Sequence, residues 1–202
     1  MESLEQSFAA ARADPARRAD FLRTVHEHTA GSERLAPFIK EIVYDTRIPQ
    51  ECLECGRLPL MSADIPLLAR FHQPGSRSVV RVWPRAFDDA VHGNLDAFLS
   101  TLFDHEGWHA REYCECPETI AEYVPLEHLR KSADLRRLAH HYPSKQTEQN
   151  SHLQMHCELR AYDRQLLMIR ERHRKVQNQF IETIEYARQV YLDWINRCVT
   201  KM

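Results

Sequence analysis

The stretch from Asn94 to His109, "NLDAFLSTLFDHEGWH", constrains the fold more than any other. Asn94 is a candidate helix cap, and Leu95, Phe98, Leu99, Leu102 and Phe103 recur at i, i+3, i+4, i+7 and i+8, the period of one buried helical face. That apolar stripe runs directly into His105-Glu106-Gly107-Trp108-His109, an H-E-x-x-H pattern. Positions four apart on an α-helix differ by about 40° in azimuth, so His105 and His109 stack on one face and can reach a single ion. Glu106 lies between them, able to act on a water without being a ligand. The helix is expected to end near Cys114–Pro117.

Around this helix the chain divides into regions of different character. Residues 1–48 read as N-terminal helices, split near Asp14-Pro15 because proline suits a first helical position better than an interior one. Within that region "ERLAPFIKEIVYDTRIP" reads as a helical or mixed segment. Residues 49–92 form a proline-punctuated loop and hairpin region, with Pro74-Gly75-Ser76 as the turn. There "SVVRVW" is rich in β-branched and aromatic residues, and Pro84 argues for an edge position or a strand end. Residues 93–172 hold the candidate metal-site helices, including one over about 126–141. Residues 173–202 read as a C-terminal helix after a break around His173. The expected class is α+β, predominantly helical with a small antiparallel sheet, in one domain spanning 1–202.

A catalytic zinc needs three protein ligands and an open position for water, whose pKa it lowers towards 7. The third ligand must come from outside the motif. Positions 112 and 115 are both glutamate, which excludes the H-E-x-x-H-x-x-G-x-x-H arrangement. Glu122, Glu127, Glu148 and Glu158 lie downstream. Glu158 is best placed, at the border of an apolar stripe of Leu159, Tyr162, Leu166 and Ile169, with small Ala161 one turn on to let two helices approach. In this pattern Glu106 takes a proton from the water and passes it to the leaving amine.

H-E-x-x-H on one helix and E-x-x-A on a later one, here Glu158 to Ala161, resemble the gluzincin branch of zinc metallopeptidases. The strand "SVVRVWP" ahead of the capped helix is similar to that branch's layout. The resemblance covers about residues 77–170 and rests on short motifs. It implies a zincin-like fold with the sheet beside the metal helix, His105, His109 and Glu158 as zinc ligands, Glu106 as general base, and an edge strand that takes up an extended peptide. The aspartate many gluzincins carry four residues after the ligand glutamate is replaced by Tyr162, with Asp163 one further. Tyr162, His152 and Tyr123 are the candidates for transition-state stabiliser.

The remaining histidines and cysteines admit blander roles. His152 and His156 form a second i, i+4 pair, but His156 and Glu158 differ by about 200° around a helix, so the pair reads as a solvent or interface row. Only one E-x-x-H occurs where a di-iron bundle needs two. Cys52-x-x-Cys55 and Cys114-x-Cys116 are candidates for a second, structural zinc, against disulfide or unlinked-thiol alternatives. Cys157 and Cys198 read as buried thiols.

A formal net charge of −2 gives no electrostatic case for nucleic acid, and the run Arg170, Arg172, Arg174, Lys175 reads as a solvated helix turn. No apolar run reaches a membrane-spanning length, and the first residues lack a secretory h-region, so a cytoplasmic protein is expected. The sequence thus points to a zinc metallopeptidase acting on a peptide or protein substrate. The rivals are a non-catalytic zinc-stabilised helical interaction or regulatory protein and a metal-dependent hydrolase of another substrate. The oligomeric state is open.

Overall fold

The computed structural model describes residues 2–47, 60–63, 77–115 and 145–199, of which 145–154, 194 and 197–199 are described for the backbone alone. Helix α1 (Leu4–Ala13) opens with a reciprocal cap: Ser3 Oγ accepts from the Gln6 amide, and Gln6 Oε1 accepts from the Ser3 amide. It ends at Asp14, whose carboxylate accepts from Ala16 N and starts a 3₁₀ turn at Pro15–Arg17. Helix α2 (Arg18–Thr29) follows, so the split at Asp14-Pro15 stands. Phe8 of α1 and Phe21 of α2 then meet Phe87 and Phe98 in a four-ring cluster with centroids 5.2–6.3 Å apart.

A second 3₁₀ turn, Ala36–Phe38, leads into β1 (Ile39–Tyr44), so the segment read as helical or mixed supplies a strand. The others are β2 (Met61–Ala63) and β3 (Ser78–Val82). Their order is β1-β3-β2, with β1 parallel and β2 antiparallel to β3. The expected antiparallel sheet is therefore mixed, and "SVVRV" is its central strand rather than an edge. The reason is burial: Ser78, Val80 and Val82 are fully enclosed, and a strand in that position is paired on both sides. Pro84 does mark the strand's end, opening a 3₁₀ turn at Pro84–Phe87. The expected hairpin partner at 68–72 and the helix at 126–141 lie outside the described residues.

The helix that carries the H-E-x-x-H pattern has three parts: α3 (Leu95–Leu99), a π-helical stretch (Ser100–Glu106) and α4 (Gly107–Glu115). Asn94 caps it, its side chain accepting from Ala97 N at 2.9 Å. The apolar stripe is buried as read, with Phe98, Leu102 and Phe103 at 0% exposure. In an unbroken α-helix, however, His105 and His109 would share the sector of Phe98 and Leu102. A π-turn takes in one extra residue and rotates the rest of the helix by about 100°. One helix can thereby pack its first half on the sheet and α1–α2 core while aiming the histidines elsewhere. At Gly107 an added Cβ would lie 2.9 Å from Leu35 Cβ, so the absence of a side chain lets the 30–38 segment close on this helix.

Helices α5 (Lys145–Glu171) and α6 (Asn178–Val199) complete the described fold, with the expected break at His173. There Arg174 N donates to Ile169 O and His173 N to Arg170 O, with His173 at φ 50°. These are the two bonds of a Schellman turn, with the left-handed residue in the usual C′ place. Asn94 and Asp96 tie the connection down by bonding the Lys175 backbone, so the end of α5 sits against the start of α3.

Candidate metal centre

Glu158 on α5 faces both motif histidines. Its Oε2 lies 3.5 Å from His105 Nε2 and its Oε1 lies 3.5 Å from His109 Nε2. One donor atom from each of the three residues falls within 4.8 Å of the others, and among the described residues this is the cluster able to hold a metal ion. Zinc with ligands at about 2.0–2.1 Å has tetrahedral edges of about 3.3 Å, close to the two histidine–carboxylate separations. Ala161, one turn beyond Glu158, is wholly buried, in keeping with a close helix approach.

The donor set lacks other partners. His105 Nδ1 and both ring nitrogens of His109 are buried without a hydrogen bond, at residues only 6% and 5% exposed. Orphaned buried nitrogens of this kind are costly unless something binds them. Burial disfavours charge on His109, but Glu158, then Glu106 and Glu112, outweigh it and push its pKa up to about 9. Burial likewise opposes charge on Glu158, yet His109 and His105 hold its carboxyl well below the usual range. The cluster is built around positive charge, and the residues fit a zinc ion.

Glu106 is 8% exposed and is not a member of the donor set. Its Oε2 accepts from the backbone amide of Ala63 at 2.8 Å, so the edge of β2 that pairs with no strand among the described residues, not a side chain, holds it. Tyr162 occupies the position of the orienting aspartate and packs its ring on His105, centroids 4.4 Å apart. Burial, reinforced by Glu158, raises its phenol pKa, so it stays a protonated donor. Asp163 turns away to pair with Arg188. A cavity of about 480 Å³ adjoins the cluster, lined in part by Ala63, Glu106, Tyr162, Gln165 and Phe180.

Other expected site residues fare differently. The side chains of His152 and Glu148, and Tyr123, Glu122, Glu127, Cys52, Cys55 and Cys116, lie outside the described residues. Cys114 is a half-buried free thiol, and Cys157 is buried, its sulfur accepting from Arg160.

The basic run is a solvated turn only in part: Arg170 and Lys175 are exposed, whereas Arg172 and Arg174 are engaged. Arg174, with its side chain 6% exposed, bonds Asp104 Oδ2 at 2.9 Å and both oxygens of Glu33 at 3.1 Å, and Arg172 also pairs with Glu33. Burial pushes Asp104 up to about 6, against the pull of Arg174. Sequence reasoning missed this network because its members are 70 and 141 residues apart. The one local signal was the acidic residue directly before His105.

No helix among the described residues is long and apolar enough to cross a membrane. Compared with known proteins, the chain matches no family model, no curated protein and no solved structure.

Proposed function

We propose that this chain is a zinc-dependent metallopeptidase of gluzincin type with a zincin-like fold. The observation that carries the reading is the convergence of Glu158 on His105 and His109, with Glu106 held beside them by a β-strand edge. Zinc bound to His105, His109 and Glu158 would supply Lewis acidity and a water acidic enough to attack at neutral pH. Glu106 accepts a proton from the attacking water and returns it to the leaving amine. The Ala63 amide orients Glu106 for that exchange. Tyr162, a neutral phenol on the cavity wall, is the candidate donor to the developing oxyanion. An extended peptide would add to this edge of β2. The three candidate ligands among the described residues are one fewer than a closed structural zinc site requires.

The test is zinc per chain for wild type and His105→Ala, followed by cleavage of a mixed fluorogenic peptide library by wild type and Glu106→Ala. Zinc should be lost in His105→Ala and kept in Glu106→Ala, whose cleavage rate should fall about 10²–10⁴-fold. Zinc retention by His105→Ala sinks the metal assignment. Zinc bound through His105 with no Glu106-dependent cleavage favours the non-catalytic, zinc-stabilised alternative.

A further inference from the structure

The metal helix meets two demands that an α-helix of its sequence cannot satisfy together. Its first half must present Phe98 and Leu102 to the core, and its second half must present His105 and His109 to α5. The π-helical stretch Ser100–Glu106 resolves the conflict by one extra residue. π-Helical backbone is rare and persists where surrounding structure holds it. Besides Glu158 at His105, and the neutral groups of His92, Gln165 and Ala63 at Thr101 and Glu106, a further charged group grips this stretch from outside the helix. Asp104, 2% exposed and directly before His105, receives Arg174 Nε at 2.9 Å, and the other edge of the guanidinium is fixed by Glu33.

Each partner is itself anchored. Arg174 follows the left-handed His173 in the Schellman turn, which sets the direction in which its side chain leaves α5. Glu33 belongs to the segment that closes on Gly107, and it takes a second guanidinium from Arg172. Buried ion pairs of this kind cost desolvation and add little net stability against an apolar replacement, but they specify geometry where one arrangement must be chosen. A planar guanidinium with donors on two edges can bridge two carboxylates in fixed orientation, which a lysine ammonium cannot.

We propose that Arg174 is a positioning residue of the metal centre, acting through Asp104 and Glu33 to hold the π-helical stretch in the register that sets His105 opposite Glu158. The inference rests on His105, His109 and Glu158 forming a metal site. Arg174 touches none of them and belongs to the same class as the outer-shell partners that orient ligating side chains elsewhere.

The experiment uses the full chain. Zinc Kd is measured by competition with a chromophoric chelator for wild type, Arg174→Met, Arg174→Lys and Asp104→Asn, with folding checked by circular dichroism. The visible spectrum of the cobalt(II)-loaded proteins reports ligand geometry. Arg174→Met should weaken zinc about 10–100-fold and alter the cobalt bands, with Arg174→Lys intermediate. A folded Arg174→Met with wild-type Kd and cobalt spectrum overturns the proposal. Should Arg174→Met fail to fold, Arg174→Lys and Asp104→Asn decide: weaker zinc supports positioning, and unchanged affinity in both overturns it. If wild type itself binds no zinc through His105, the metal reading falls and this inference falls with it, a result distinct from the others.

Discussion

His92 and His109 are both buried, at 1% and 5% exposure, a few turns apart along one chain, and they could hardly be less alike. His92 has both ring nitrogens occupied. Nδ1 donates to the Ala86 carbonyl at 2.7 Å, and Nε2 meets the Thr101 hydroxyl at 2.9 Å, which in turn accepts from Gln165. Its ring lies against Phe98 and Phe180, and burial pushes its pKa down to about 4. His109 has neither nitrogen hydrogen-bonded, and three carboxylates push it the other way. Burial therefore does not distinguish a structural histidine from a candidate metal ligand. Whether its nitrogens are already satisfied does.

Acidification should separate the two environments most strongly. A histidine with a depressed folded pKa binds fewer protons folded than unfolded, so its contribution is intact above about 6.5 and is lost as pH falls towards 4. Through His92, chelator-treated protein should lose up to about 3 kcal/mol across that window. Urea titrations at several pH values read this directly. A His92→Leu variant with the same acid slope as wild type would assign the loss to other groups.

Next in size is a matched pair of substitutions. His92→Leu takes the ring donor from the Ala86 carbonyl and one of three partners from the Thr101 hydroxyl, and should cost about 1–3 kcal/mol while sparing zinc. His109→Leu removes the imidazole that faces Glu158 and leaves that carboxylate short of a partner, so the metal-free protein should also lose stability, and zinc should bind more than about 100-fold less tightly. Equal loss of zinc affinity in both variants would erase the contrast.

The smallest effect belongs to a third histidine. His173 is exposed and sits at φ 50°, where a side chain is a burden. His173→Gly should raise stability by about 1 kcal/mol or less, seen as a small rise in Tm, with zinc affinity unchanged. A loss of stability would mean that the imidazole has a role there.

How much of the fold and the site was legible in the sequence depends on the range of the interactions involved. The stripe from Leu95 to Phe103, the split at Asp14-Pro15 and the break at His173 are local, and periodicity and turn chemistry carry them. Glu158 was reachable because helix geometry relates it to Ala161 and to the apolar stripe beside it. The parallel pairing of β1 with β3 was not, since turn residues speak only for neighbouring strands. Nor was the π-helical stretch, which arises from two packing surfaces competing for one helix. Arg174 resembles its solvated neighbours in sequence because nothing nearby declares that its partners are Asp104 and Glu33.

The bond from the Ala63 amide to Glu106 has a consequence of another kind. A contact made by the main chain is indifferent to the identity of the residue that supplies it. Within the space the core leaves at position 63, substitution can proceed without disturbing Glu106, and proline alone, having no amide hydrogen, abolishes the bond. A residue that serves the centre in this way leaves no signature in its own letter, and inheritance can preserve the role while the letter drifts.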